Sequence, residues 1–173
     1  MLYIHATAKL AKAIHAKLEP CPNDDAIWIE HWYANVIAIT EYHDAILMTN
    51  AETLYSFVFP LPNDSVPFFA TVEQLRKKLR HAIASQGVPS KQADKIISGL
   101  DQYVICKTAS RSVLGSMNDL AIGMQFYADR TLGDGNQFNL EELEASLNET
   151  PMKTLGYHFP VERFKEHLHS ATP

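Results

Sequence analysis

Three strand-like segments follow one another in the first third of the chain, and they constrain the fold more than any other feature. They span residues 27–40, 45–48 and 53–59 and are rich in Trp, Tyr, Ile and Val. The connections between them are short and polar, so the strands are expected to pair antiparallel. Pro60, Pro62 and Pro67 end the run, because proline cannot donate to a strand ladder. This part of the sequence predicts an antiparallel meander.

Helix-like segments lie on both sides of the meander. Thr71 and Gln74 have the form of a capping box, which predicts a helix that starts at Thr71 and is closed by Gly87. Further helices are predicted at 8–18, 90–99, 112–128, 140–147 and 161–168, and further strands at 2–6 and 103–107. The connections are too short to separate two domains. We therefore expect one α+β domain over residues 1–173, with a mostly antiparallel sheet and helices packed against it.

Composition and charge exclude several classes of partner. The chain is 46% hydrophobic and 20% charged, as in ordinary soluble proteins, and its net charge of −5 argues against nucleic acid and anionic membranes. No stretch approaches ~18 apolar residues, so no membrane contact is expected. Arg76, Lys77 and Arg80 lie in the most basic run, and we expect them to line a solvated helix face that lacks aromatics for base stacking.

Cysteine usage favours a reducing compartment. The chain has two cysteines, Cys21 and Cys106, at unrelated positions, and free thiols are the expected state. The first residues include His5, Thr7 and Lys9 instead of an apolar signal segment. Both observations predict a cytoplasmic protein.

The segment Arg111–Asp119 carries the densest set of candidate site residues. Its sequence, RSVLGSMND, opens a predicted helix directly after the strand at 103–107. Gly115 costs roughly 1 kcal/mol in a helix relative to Ala, which suggests the close approach of a backbone or a ligand. Asn and Asp inside a helix are disfavoured unless their side chains have partners. The alternative interpretation is that these residues only cap the helix and bond a neighbouring loop.

Two strand segments supply candidate neighbours for this site. Asn50 and Glu52 lie between two predicted strands, where turn chemistry is the favoured explanation and a site at the end of the sheet is the alternative. His31 and Asn35 share one strand face, for which we expect solvent exposure, while Trp32 faces the core. The complete set of candidate ligand-binding residues is Arg111, Ser112, Ser116, Asn118, Asp119, Asn50, Glu52 and Asn35.

Known reaction templates do not fit the chain. The eight histidines form no His-Glu-x-x-His motif, and there is no Cys-x-x-Cys pair, so no metal site is predicted. There is no Gly-x-Ser-x-Gly nucleophile elbow and no glycine-rich phosphate loop. The sequence thus predicts no catalytic residues and no cofactor.

Several motifs together resemble a family of small, uncharacterised bacterial proteins. They are the Met-Leu-x-Ile start leading into Thr-Ala-Lys-Leu, the segments WYAN at 32–35 and TNAETLYS at 49–56, and RSVLGSMND at 111–119. The resemblance covers about the first 130 residues. It implies a cytoplasmic bacterial protein of unknown function, of the kind carried on mobile elements, and it supplies no catalytic residues.

Three functional hypotheses follow. The first is a non-enzymatic domain that binds a small molecule or a protein, with Arg111 holding an anionic group and Asn118 and Asp119 orienting polar ones. The second is an enzyme acting on a nucleotide or RNA, which requires Asp119 and Arg111 close to His31 or Glu52 in a cleft. The third is a homo-oligomeric module with Tyr42, Phe68 and Phe69 exposed at its interface.

Overall fold

A mixed five-stranded sheet organises the protein. The computed structural model describes residues 1–23, 26–40, 43–62, 66–133 and 139–170. The strands are β1 (Leu2–Ala6), β2 (His31–Thr40), β3 (His43–Asn50), β4 (Ser56–Pro60) and β5 (Tyr103–Lys107). Their order in the sheet is β4-β3-β2-β1-β5.

The predicted meander is confirmed, and it forms one half of the sheet. β2 pairs antiparallel with β3 and β3 antiparallel with β4, whereas β1 pairs parallel with both β2 and β5. Most of the paired residues lie in the two antiparallel ladders, so the sheet is mostly antiparallel. The parallel pairings were not predicted, because a parallel ladder joins segments that are distant in sequence.

Six α-helices accompany the sheet among the described residues. They are α1 (Ala8–Ala13), α2 (Phe68–Ser85), α3 (Ser90–Ser98), α4 (Arg111–Gly133), α5 (Leu140–Asn148) and α6 (Pro160–Ser170). Short 3-10 helices occur at Trp28–Glu30 and Lys153–Leu155. None of these helices combines the length and the apolar character that a membrane crossing requires.

Three of the predicted helix boundaries were wrong, and one of them is the end of α4, which lies at Gly133 instead of Ala128. α2 begins at Phe68, after Pro67, so Thr71 lies one turn inside the helix and is buried. Phe68 is itself buried, and its contribution to the core outweighs the local capping signal. α1 ends at Ala13 and not at Leu18, because His15 adopts a left-handed conformation with φ 52°.

The sheet is covered on both faces. One face carries alternate side chains such as Leu2, Ile4, Trp32 and Met48, which form a core with α2, α3 and α6. The other face packs against α4 and α5, and its core residues from the sheet are Tyr33, Ile37, Ile39, Ala45, Leu47 and Val58. The period-two alternation of β2 therefore places Trp32 in one core and Tyr33 in the other.

The outer edge of β4 is closed by side chains from two helices. Asn148 bonds both backbone groups of Ser56, and Glu144 accepts a hydrogen bond of 2.8 Å from Val58 N. Lys78 Nζ donates to Val58 O at 3.2 Å and pairs with Glu144. These contacts occupy backbone groups that an open edge would offer to another strand.

The basic run on α2 is only partly solvated. Arg76 is buried, where its Nε donates to Leu100 O at 2.6 Å and its guanidinium pairs with Glu73. The expectation that Arg76 lines a solvated face was therefore wrong. Lys77 is exposed, and Arg80 pairs with Asp94 at 2.6 Å.

Candidate functional site

The RSVLGSMND segment forms the first turns of α4, and its start is fixed by side-chain caps. Val113 N donates to Ser110 Oγ at 3.2 Å. The Tyr33 hydroxyl of β2 accepts hydrogen bonds from Ser110 N at 2.8 Å and Ala109 N at 3.4 Å. These bonds satisfy backbone donors that a helix start leaves without intrahelical partners.

The inward side chains of the segment are structural. Val113 and Met117 are buried against the sheet. Ser116 is also buried, and its Oγ lies 2.6 Å from Thr154 Oγ1 in the second 3-10 helix. Ser116 therefore links α4 to the second 3-10 helix and does not line a cleft.

The outward side chains of the segment are solvated. Exposed residues of this set are Arg111, Ser112, Asn118 and Asp119. Their side chains make no hydrogen bond or ion pair with any residue that the structure describes. A Cβ placed on Gly115 would meet no atom within 4 Å, so no part of the described chain approaches this glycine closely.

Both polar atoms of the Asn50 side chain form hydrogen bonds around the connection between β3 and β4. Its Nδ2 donates to Trp28 O at 2.9 Å and His31 O at 3.2 Å. Its Oδ1 accepts from Glu52 N, Thr53 N and Thr53 Oγ1 at 2.9–3.2 Å. Asn50 is therefore an architectural residue in this structure.

Glu52 and Asn35 have separate local partners. Glu52 is exposed and lies 3.7 Å from His167 Nδ1 of α6. Asn35 is partly buried, not solvent-facing as expected, and its Oδ1 accepts a hydrogen bond of 2.7 Å from Thr7 Oγ1. No hydrogen bond or ion pair among the described residues joins either side chain to the candidate residues of α4.

The outer face of α4 continues beyond the motif as an apolar stripe. Ile122 is 62% exposed and Phe126 is 77% exposed, and they lie one turn apart. Gly115 precedes them by about two and three turns on the same side of the helix. We call these three residues the α4 outer stripe.

The structure supports only part of the interface that was expected around Tyr42, Phe68 and Phe69. Phe69 is 51% exposed, but Phe68 is buried, so the expectation that Phe68 is exposed was wrong. Tyr42 lies outside the described residues. The exposed apolar surface of α4 was missed because its residues fall between core positions of a helix that the sequence predicts to end at 128.

A second group of polar side chains lies where β1 meets β2. His5 of β1, His31 of β2 and Cys21, which follows α1, have donor atoms within 4.8 Å of one another. His5 Nε2 lies 3.0 Å from His31 Nδ1, and His5 Nδ1 lies 3.1 Å from Lys107 O. We call these three side chains the histidine–cysteine cluster.

Aromatic rings enclose the two histidines. His5 stacks on Tyr33 with ring centroids 4.6 Å apart, and His31 stacks on Tyr3 at 5.1 Å. His5 is almost fully buried, and His31, for which solvent exposure was expected, is half-buried. Sequence spacing missed the cluster because the parallel pairing of β1 with β2 brings distant residues together.

Comparisons with known proteins agree with the resemblance noted from the motifs. No curated protein and no solved structure is significantly similar to the chain. A family model described as a domain of unknown function, DUF6933, matches residues 3–163. The match covers most of the chain, and the protein therefore belongs to the DUF6933 family of domains of unknown function.

Proposed function

We propose that the protein is a non-enzymatic interaction domain that associates with a second copy of itself through the outer face of α4. The single observation that carries this proposal is the exposure of Ile122 and Phe126, at 62% and 77%, on a well-packed helix. Large apolar side chains that adjoin on a surface mark interaction sites more often than isolated ones do.

Gly115 supplies a complementary depression on the same face. Glycine destabilises an exposed helix by about 1 kcal/mol relative to Ala, and nothing within the described chain makes use of the space. A second molecule can use it. When two α4 helices pair antiparallel about a two-fold axis near Leu120, Phe126 of each copy faces Gly115 of the other.

The charges at the two ends of α4 suit the same arrangement. Arg111 and Asp129 lie about five turns apart, so they project from the same side of the helix. Both are exposed and without an ion pair among the described residues. Antiparallel pairing brings Arg111 of each copy towards Asp129 of the other, which favours two contacts per dimer.

The enzyme hypothesis receives less support from the geometry. It requires Arg111 and Asp119 beside His31 or Glu52 in one cleft. His31 instead bonds His5 at 3.0 Å, and Glu52 faces His167. Arg111 and Asp119 are both exposed to solvent on α4 and do not line a cleft with these residues.

Sedimentation equilibrium of the full chain tests the proposed dimer. We expect a concentration-dependent mass between one and two copies, and Phe126→Glu is expected to weaken the dimer by about 2 kcal/mol, roughly thirtyfold in Kd. Phe69→Glu is the matched control, because it places the same charge at another exposed phenylalanine. A strict monomer at high concentration, or equal effects of both variants, contradicts the proposal.

Charge reversal tests the orientation of the two helices. Arg111→Asp alone is expected to weaken the dimer, since it faces Asp129 of the second copy. Arg111→Asp combined with Asp129→Arg is expected to restore it. Failure of the double variant to recover association argues against antiparallel pairing.

We further propose that this association takes place in the bacterial cytoplasm. Neither cysteine forms a disulfide, as a reducing compartment favours, and the motif resemblance implies a bacterial source carried on a mobile element. Recovery of the native protein from the soluble cytoplasmic fraction, with both thiols titratable after unfolding, is the expected result.

A further inference from the structure

We propose that His5, Cys21 and His31 form a binding site for one transition-metal ion of the zinc class. The site goes beyond the interaction proposed for α4 and involves none of its residues. Its three donors come from β1, from the connection after α1 and from the start of β2, and they lie within 4.8 Å of one another.

The backbone holds the two histidines at a spacing that suits a shared ion. Tyr3 is paired with His31 and His5 with Tyr33, so the two histidines are diagonal neighbours on one face of the sheet. Their facing nitrogens are 3.0 Å apart. Two nitrogens on one tetrahedral zinc ion, each at ~2.0–2.1 Å, lie ~3.3–3.4 Å apart. An ion therefore fits between them after movements of a few tenths of an ångström.

His5 is oriented in the way that metal-ligating histidines are. Its Nδ1 lies 3.1 Å from Lys107 O, and because a carbonyl oxygen only accepts, Nδ1 carries the ring proton. The lone pair is then on Nε2, the nitrogen that faces His31. A backbone carbonyl on the far nitrogen is the usual outer partner of a ligating imidazole, and it fixes both tautomer and ring orientation.

His31 completes the polar pair but retains an unsatisfied atom. With the lone pair on His5 Nε2, His31 Nδ1 donates the proton of the 3.0 Å hydrogen bond. His31 Nε2 is buried and has no hydrogen-bond partner among the described residues. Binding of an ion to His31 Nδ1 displaces this proton, and Nε2 of the same ring, which has no other partner in the described part of the chain, can take it up.

Cys21 supplies the third donor and the selectivity. Its Sγ is partly exposed and held only by a 3.5 Å contact with Asn23 O, so it is free to move towards the histidines. In a tetrahedral zinc site sulfur and nitrogen ligands lie ~3.5 Å apart, which requires Cys21 to move by about 1 Å. Two imidazoles and a thiolate favour Zn²⁺, Co²⁺ or Cu⁺ over Mg²⁺ and Ca²⁺, which prefer oxygen ligands.

Cobalt titration of the chelator-treated full chain tests the site. We expect one Co²⁺ per chain, with the intense visible bands of tetrahedral cobalt and a thiolate-to-cobalt charge-transfer band. Equimolar Zn²⁺ is expected to bleach both, and Mg²⁺ to leave them unchanged. Absence of these bands, or binding of several ions without saturation, overturns the proposal.

Ligand variants locate the ion. Cys21→Ser is expected to abolish the charge-transfer band, and His31→Gln to weaken cobalt binding at least tenfold. His167→Gln is the matched control. Cys106→Ala tests the other thiol, which lies beside His5 in the β1–β5 ladder. Both variants are expected to bind as the parent chain does. Circular dichroism identifies variants that remain folded. Retention of the band in folded Cys21→Ser, or its loss in a folded control, places the ion elsewhere and contradicts the assignment.

Discussion

The side-chain amide of Asn148 bonds both backbone groups of Ser56. Asn148 Oδ1 accepts from Ser56 N at 2.7 Å, and its Nδ2 donates to Ser56 O at 2.9 Å. Asn148 of α5 thus makes the two hydrogen bonds that a neighbouring strand would otherwise make with Ser56 at the edge of β4.

Asn148→Ala is expected to destabilise the fold by about 2–3 kcal/mol, because it leaves a buried backbone donor and acceptor without partners. Urea unfolding followed by circular dichroism measures the loss. Asn148→Asp retains only the hydrogen-bond acceptor, and its free energy of unfolding is expected to lie between those of the alanine variant and the parent chain. An alanine variant as stable as the parent chain contradicts this role of Asn148.

Tyr55 is expected to make the stability of the protein fall at alkaline pH. Burial, and secondarily the nearby Glu144 carboxylate, raises the pKa of Tyr55 to about 12. A folded-state pKa above the unfolded value of about 10 means that the folded protein retains the proton longer. Stability from this group is therefore present below about pH 10 and is lost as the pH rises towards 12.

Tyr55→Phe is expected to reduce the loss of stability between pH 10 and pH 12 by about 2 kcal/mol or less. The ring stacks on Phe164 at 4.4 Å, and phenylalanine preserves that contact. Denaturant unfolding at pH 9 and pH 12 provides the comparison. Identical pH profiles for the two proteins argue against a raised pKa.

Gly115→Ala is expected to have opposite effects on the chain and on its association. The added methyl meets nothing within 4 Å, so the monomer gains about 1 kcal/mol of helix stability. The same methyl fills the depression proposed to receive Phe126, so the dimer weakens. Unfolding of dilute protein and sedimentation equilibrium measure the two effects. A stabilised chain with unchanged association separates Gly115 from the interface.

Alanine substitutions at Asn50 and Asn118, two asparagines of the candidate set, are expected to change the stability of the fold by very different amounts. Asn50→Ala removes the amide that organises the β3–β4 connection and is expected to cost about 3 kcal/mol or more. Asn118→Ala alters an exposed side chain and is expected to stay within ~0.5 kcal/mol of the parent. Thermal and urea unfolding of both variants provide the test. A large loss in Asn118→Ala points to a partner for that side chain.

Local pattern was sufficient to predict the meander and the helical segments. Alternating β-branched and aromatic residues specify strands, and strands joined by short connections pair with one another. The boundaries at Thr71 and Leu18 were wrong because core packing and a left-handed backbone at His15 act against local capping and propensity. RSVLGSMND was predicted to open a helix, but the sequence did not separate its buried Ser116 from its exposed neighbours.

The amino-acid sequence alone determined that this chain forms an α+β fold, because periodicity and turn residues act over a few positions. Only the tertiary structure decided that β1 lies between β2 and β5. That placement brings His5, Cys21 and His31 together from three separate segments. The tertiary structure also decides which face of α4 the sheet buries, and this leaves Ile122 and Phe126 exposed. Both features arise from long-range packing, whose free energy depends on surfaces that no local pattern contains.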